Sequence, residues 1–349
     1  MTTDLREVLH DRLDHVEPPR GDLDAVRRDG GRLRRRRQLG TGGAALVAVA
    51  AGTAVVVALL GGGGGASRGE RGLDPVGQLD FSQGLRAYAD PGHRIHLGGR
   101  EFPADRLEAL DTDAAATPYG VVFYDDGHPM LLEETGQFRD LEPGAPGGGG
   151  NPTAKADSVG ARVAYAVATE DGLEVVVRDL ATDDVLGRHA VPDGTVIDAL
   201  DDGVVFLRTD EGTTSWDSAT NEVSEVGGPQ TRVADVRNGV LLHDGPRPDG
   251  PGASAYRLVK GAIDAQLTHD GRHVLYWSNR LESTDGSTPI VLDQKATFFA
   301  VDTDGSILAA AFGDPTVTVY DCEVPSGRCT ELGPLTTRGG DPAFIGVDM

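Results

Sequence analysis

The chain has 349 residues, 32 Lys and Arg against 55 Asp and Glu, a formal net charge of −23, 49 Gly, 20 Pro and 2 Cys. So acidic a surface excludes nucleic-acid binding for the bulk of the protein, because that class needs excess positive charge to displace counterions. Glycine without a triplet period excludes collagen, and two cysteines exclude a disulfide-dense scaffold.

Residues 1–38 hold 10 Arg against 8 Asp and Glu, a net +2, leaving 22 basic and 47 acidic side chains, or −25, for the remainder. Within this tail Leu5, Val8, Leu9, Leu13 and Val16 recur at helical spacing. Asp4 is placed to cap the turn, Glu7 stands three residues on, and Pro18-Pro19 ends the pattern. A second short helical stretch, Asp22 to Arg28, stops at Gly30-Gly31. So short a helix forms no core, so it is either a solvated stub whose arginines touch anionic lipid or a docking helix for a cytoplasmic partner.

Leu39 to Leu60 is apolar throughout, and no ionisable side chain stands between Gln38 and Ser67. At about 1.5 Å per residue such a helix spans about 33 Å, enough to cross a hydrocarbon core. Arg27, Arg28, Arg32 and the run Arg34, Arg35, Arg36, Arg37 crowd its N-terminal side, so the positive-inside rule predicts a cytoplasmic N-terminus and an extracytoplasmic C-terminal part. A cleaved signal peptide at Gly64-Gly65-Ala66 is the competing reading. The predominantly polar 38-residue segment ahead of the apolar run favours an uncleaved anchor. Gly61 to Gly65 open a flexible linker over residues 61–80, and 81–349 is the expected exported domain.

Every aromatic side chain lies beyond Arg68, and the periodicity there is of the strand type, with one short helical pattern from Pro103 to Leu110. Beyond Arg68 Asp-Gly occurs nine times and Asn238-Gly239 makes a tenth such turn pair, a strong hairpin signal because the favoured tight turn wants positive φ at both central residues. Aligned on a turn glycine, six segments repeat, around Gly120, Gly160, Gly203, Gly239, Gly271 and Gly305. Intervals of about 32–43 residues between units of a few short strands are the signature of a β-propeller. The unit from Phe298 shows four strands in succession: FFAVDT, SILAAAF, TVTVYD and RCTELG. A β-sandwich accommodates short strands but not this repeat.

Trp216-Asp217 closes the third strand of its unit, Tyr320-Asp321 and Arg178-Asp179 take the same place elsewhere, and Asp-Gly sits between the first two strands. In these residues, over about 230 positions from Thr112 to Met349, the chain resembles WD40 and WD40-like propeller repeats, without their Gly-His pair. The resemblance implies an all-β propeller. Six units are countable, and Ala343 to Val347 at one end with Arg94 to Phe102 at the other offer the two halves of a closing blade. The expected number is therefore seven blades, with six and eight as neighbouring counts. Three lysines (Lys155, Lys260, Lys295) amid abundant Arg, Ala and Gly, together with the anchored layout, are similar to what membrane proteins of GC-rich actinobacteria show.

Cys322 and Cys329 flank a predicted hairpin in what the topology makes an oxidising space, so they are expected to form a disulfide. Asp302-x-Asp304-Gly305 opens like a calcium loop but lacks its later Glu, and His269 and His273 flank a turn instead of sharing a helix face. No phosphate loop or nucleophile elbow is present, the Gly147 to Gly150 run lies in a Pro/Gly loop, and no catalytic, cofactor or metal residue is assigned. The sequence thus points to a single-pass membrane protein carrying an acidic propeller that binds or scaffolds a protein or envelope polymer. A transmembrane sensor working through the tail helix is the alternative, and an envelope hydrolase or lyase the third reading.

Overall fold

The computed structural model describes residues 76–90, 94–103, 114–143, 145, 153–157, 160–262, 264–276, 278–312, 316–336 and 343–345. The expected tail helices, the run Arg34 to Arg37, the apolar span 39–60, the helical pattern following Pro103 and the Gly147 to Gly150 loop lie outside them. Among the described residues no helix is long and apolar enough to cross a membrane.

Hydrophobic alternation and turn residues divide the chain into seven small sheets. Blade 1 contains β1 (Tyr88–Asp90), β2 (Arg94–Leu97) and β3 (Arg100–Pro103). Blade 2 is β4 (Ala115–Thr117), β5 (Gly120–Asp125), β6 (His128–Glu133) and β7 (Phe138–Asp140). Blade 3 is β8 (Ala154–Ala156), β9 (Arg162–Thr169), β10 (Gly172–Asp179) and β11 (Asp184–Val191). Blade 4 is β12 (Val196–Asp201), β13 (Val204–Thr209), β14 (Gly212–Asp217) and β15 (Glu222–Gly227). Blade 5 is β16 (Arg232–Arg237), β17 (Val240–Asp244) and β18 (Arg257–Lys260). Blade 6 is β19 (Gln266–Leu267), β20 (His273–Leu275), β21 (Arg280–Ser283) and β22 (Ile290–Val291). Blade 7 is β23 (Phe298–Val301), β24 (Ile307–Phe312), β25 (Thr316–Cys322) and β26 (Cys329–Thr336). The last strand, β27 (Ala343–Phe344), returns to pair antiparallel with β1, Tyr88 opposite Phe344 and Ala89 opposite Ala343, and becomes the innermost strand of blade 1.

The ring therefore has seven blades and closes with strands from both ends of the propeller, as the repeat arithmetic predicts. Of the six turn glycines of the repeat, Gly160, Gly203, Gly239, Gly271 and Gly305 fall between the first and second strands of blades 3 to 7, and Gly120 opens the second strand of blade 2. Of the Asp-Gly and Asn-Gly pairs, Asp126-Gly127, Asp202-Gly203 and Asn238-Gly239 adopt the doubly positive φ of the ideal hairpin turn, as does Gly98-Gly99 between β2 and β3. After Asp193, Asp244, Asp270, Asp285 and Asp304 the positive φ is taken by the glycine alone, which adopts it without strain.

Blade 5 departs from the pattern. Its second and third strands pair in parallel, Val240 opposite Arg257. Residues 245–256, rich in proline and glycine, leave the sheet, pass through a 3₁₀ turn at Pro251–Ala253 and pack on blade 4, where a Cβ at Gly250 would stand 2.3 Å from the Glu225 carbonyl oxygen.

No single core fills the molecule. Buried side chains gather into seven clusters, one at each seam between neighbouring blades. The seam of blades 3 and 4 holds Trp216, wholly buried and stacked on His189 at 5.2 Å. The seam of blades 5 and 6 has the smallest cluster, Val240, Leu242, Ala265, Leu267 and Val274.

Candidate functional site

Among the described residues, all seven blades contribute to the axis of the ring. The axial channel encloses about 110 Å³, and residues of every innermost strand or its flanks line it, from Ala116 and Ala154 through Asp198, Asp235 and Gln266 to Asp302 and Ile345. Alanines keep it narrow. Its polar side chains mostly serve the ring itself, because inner-strand N–H groups facing a neighbouring blade must find acceptors.

Those acceptors form a series. Thr153 Oγ1 accepts from the Ile197 N–H at 3.3 Å, Asp198 Oδ2 from Val233 at 3.3 Å, Asp235 Oδ2 from Leu267 at 2.8 Å and Gln266 Oε1 from Val301 at 2.8 Å. Asp302 completes it by accepting from Leu85 at 3.0 Å and Arg86 at 2.8 Å. Each side chain of one blade thus holds the backbone of the next. Between blades 2 and 3 the Tyr124 hydroxyl does this work, accepting from the Ala166 N–H at 2.9 Å.

Burial sets the electrostatics of the channel. It pushes the Asp198 carboxyl above the usual aspartate range against the opposing pull of Arg208, whose Nε donates at 3.0 Å. Asp201 is raised by burial and then by the nearby charge of Asp157. Asp302 is raised by burial, against three backbone N–H groups that favour its charged form. His269 is lowered by burial and by Arg237, so it stands neutral at pH 7. Arg237 reaches past blade 4, its Nη1 donating to the Ala156 carbonyl at 3.2 Å while its Nε lies 3.4 Å from Asp235. What remains for chemistry inside the channel is small.

A second polar cluster bridges blades 2 and 3. Glu142 accepts from the Tyr165 hydroxyl at 2.7 Å, from Arg178 at 3.2 Å and from Arg188 at 2.6 Å. Arg178 also donates to Tyr165 Oη at 2.9 Å, to the Leu141 carbonyl at 2.7 Å and to Asp183 at 3.0 Å. Arg139 joins Glu133 at 2.8 Å and also meets Asp183. With so many donors satisfied, the cluster reads as a joint between blades.

The residues singled out in the sequence divide clearly. Cys322 and Cys329 are bonded, with Cα atoms 3.9 Å apart, at the hairpin end of blade 7. That hairpin rests on blade 6, where Asp293 accepts from the Cys329 N–H at 3.1 Å and donates its own N–H to the Gly327 carbonyl at 2.9 Å. Asp179 and Asp217 end their third strands by accepting from the residues two and three positions on, which closes the following turn. Asp321, the third of that set, instead takes Arg86 at 2.7 Å. Asp302 and Asp304 do not form a calcium loop. Asp302 holds the Leu85 and Arg86 backbone, and Asp304 accepts from the Ser306 N–H at 2.9 Å. Among the described residues no group of three His, Cys, Asp or Glu side chains is arranged to hold a metal ion. His269 lines the channel, whereas His273 is buried in blade 6 and its Nε2 donates to the Thr288 carbonyl at 3.1 Å.

No protein-family model and no curated protein sequence matches the chain. Solved structures are similar to the chain at low identity. TolB from Acinetobacter baumannii is 13% identical over 74% of this chain and 64% of its own length, with a TM-score of 0.39. U3-55K is 11% identical over 66% of this chain and 82% of its own, with a TM-score of 0.39. A chain of the mitotic checkpoint complex is 10% identical over 81% and 89%, with a TM-score of 0.33.

Proposed function

We propose that the protein is a binding or scaffolding module, an acidic propeller held at the cell membrane by the helix 39–60 with its N-terminus in the cytoplasm, engaging a protein or envelope polymer outside. The observation that carries this reading is the use of the axial polar groups: Asp198, Asp235, Gln266 and Asp302 are all committed to closing the ring around about 110 Å³. Recognition therefore falls to the loops and blade edges, where seven hairpin-rich sheets present a broad surface. The net −25 beyond residue 38 favours a basic partner.

The test is cross-linking of the full chain in native membranes, followed by reciprocal co-purification at low and high salt. A reproducible, salt-sensitive partner is the expected result. Recovery of the chain alone under cross-linking, or turnover of a glycan or ester panel, would count against a binding module. A reporter active only outside the cytoplasm, fused after Met349, checks the orientation, and a silent fusion reverses it.

A second reading, a transmembrane sensor coupling an external ligand to the tail helix Asp4 to Val16, draws support from the way the described chain enters the propeller through residues tied to ring closure. Deleting residues 4–28 without changing any cytoplasmic interaction would end it.

A further inference from the structure

The twelve residues from Val76 to Ala87 precede the first strand and belong to no blade, yet they touch three. At one end the Val76 and Leu79 N–H groups donate to the Gly136 and Glu134 carbonyls of blade 2, at 2.9 and 2.7 Å. In the middle the Asp80 N–H donates to the Gly98 carbonyl of blade 1, and the Gly98 N–H to the Leu85 carbonyl. At the far end Asp302 of blade 7 grips Leu85 and Arg86, and Asp321 takes the Arg86 guanidinium. Leu79 and Leu85 are buried at 2% and 0% exposure in the cluster between blades 1 and 2. The fit is tight, since a Cβ at Gly84 would lie 2.4 Å from Asp302 Oδ2. This strap delivers the chain directly into β1.

Among the described residues, the backbone pairing that closes the ring beside it is short. The closing strand β27 makes two registered pairs, both with β1, at Tyr88 and Ala89. β1 is three residues long and follows the Asp302 grip by two positions. Anything that lifts Leu85 and Arg86 disturbs β1, which carries both backbone pairs of the closing strand and leaves Phe344 held by its packing against Ala300, Leu308 and Val319 of blade 7.

We propose that Val76–Ala87 is a latch, with Asp302 as its catch, and that release of the strap and opening of the ring at blade 1 are one cooperative event. Whatever lies N-terminal to Val76 is thereby coupled mechanically to the seam between blades 7 and 1. A pull or a binding event on that segment opens this seam ahead of the other six. The proposal rests on the fold and holds whether or not the propeller has a partner, so the outcome of the co-purification experiment does not bear on it.

Hydrogen exchange by mass spectrometry on the full chain tests it, comparing the wild type with Asp302→Asn, Arg86→Gln and Asp198→Asn. Asp302→Asn turns an amide N–H₂ toward backbone donors and should speed exchange about tenfold in peptides spanning 76–90 and also in the closing strand at 343–345. Arg86→Gln, which keeps the backbone bonds and loses only the ion pair with Asp321, should give the same pattern with smaller amplitude and guards against a misfolded first variant. Asp198→Asn should act at blades 4 and 5 and leave 343–345 unchanged. Faster exchange confined to 85–86, uniform acceleration across all blades, or an equal effect of Asp198→Asn at 343–345 would each overturn the latch.

Discussion

Replacing Glu142 tests whether the polar joint between blades 2 and 3 is held by charge. The side chain is 11% exposed, as is that of Arg178, and it receives three charge-assisted bonds from Tyr165, Arg178 and Arg188. Hydrogen bonds to a charged group contribute about 1.5–3 kcal/mol, and stripping one partner from a buried ion pair costs about 3–5 kcal/mol because the other charge is left behind. Here Arg178 keeps Asp183 and the Leu141 carbonyl, so the cost falls below the upper end. Glu142→Ala should lose about 3 kcal/mol, and Glu142→Gln, which retains an acceptor, about 2 kcal/mol, read from urea midpoints at pH 7. Burial raises the Glu142 pKa, but bonds from Arg188, Tyr165 and Arg178 outweigh it, and the carboxyl titrates below its ordinary value of 4.5. A depressed folded pKa supplies stability above the unfolded value that disappears as pH falls through the folded one. The gap between wild type and Glu142→Gln should therefore narrow steadily below pH 4.5. A gap that is absent at pH 7, or that persists undiminished in acid, would refute the charge-based account.

Other perturbations probe the seams and the strap. Asp201→Asn removes a charge that burial and Asp157 disfavour. It should stabilise the fold by about 1 kcal/mol at pH 7 in thermal melts, and the gain should fade in acid, where the wild-type carboxyl protonates. Asp235→Ala leaves the Val236 and Leu267 N–H groups without their acceptor and should cost about 2–4 kcal/mol by urea denaturation. Replacing Cys322 and Cys329 together by serine should cost about 2–3 kcal/mol, with new proteolytic cuts confined to residues 323–328 on peptide mapping. Gly136→Ala would put a Cβ 2.0 Å from the Gly77 carbonyl oxygen at a φ of +76°. It should expose the strap to protease while far-UV circular dichroism stays that of a β protein.

The seven blades were legible because their chemistry is local. A turn glycine recurs at the same place in each unit, and the unused strands at the two ends can only complete one another. Residues 245–256 were not legible, since Pro246, Pro248 and Pro251 say that a strand stops but not that the next one will return parallel. The ring acceptors were hidden for a different reason. An aspartate within a strand, such as Asp198 or Asp235, looks solvent-facing in a period-two pattern, and its partner lies 35 or 32 residues away in the next unit. The first part of the strap was read as spacer because Val76 and Leu79 stand among Gly and Gln, so that the expected linker over 61–80 ends in residues that are packed. Cys322 and Cys329 were readable because hairpin geometry alone brings them together. The joint at Glu142 needs residues from two units, and no spacing announces it.

The side-chain acceptors along the inner strands point one way: Thr153, Asp198, Asp235, Gln266 and Asp302 each reach forward to the following unit. A unit built like this carries a plug on one side and a socket on the other. A duplicated copy would fit between its parent and the next blade without new joints having to arise on either neighbour. Growth of such a ring by gene duplication is limited by curvature and by the single seam where the first and last units meet. There the sequence departs from its own rule and uses a segment from outside the repeat.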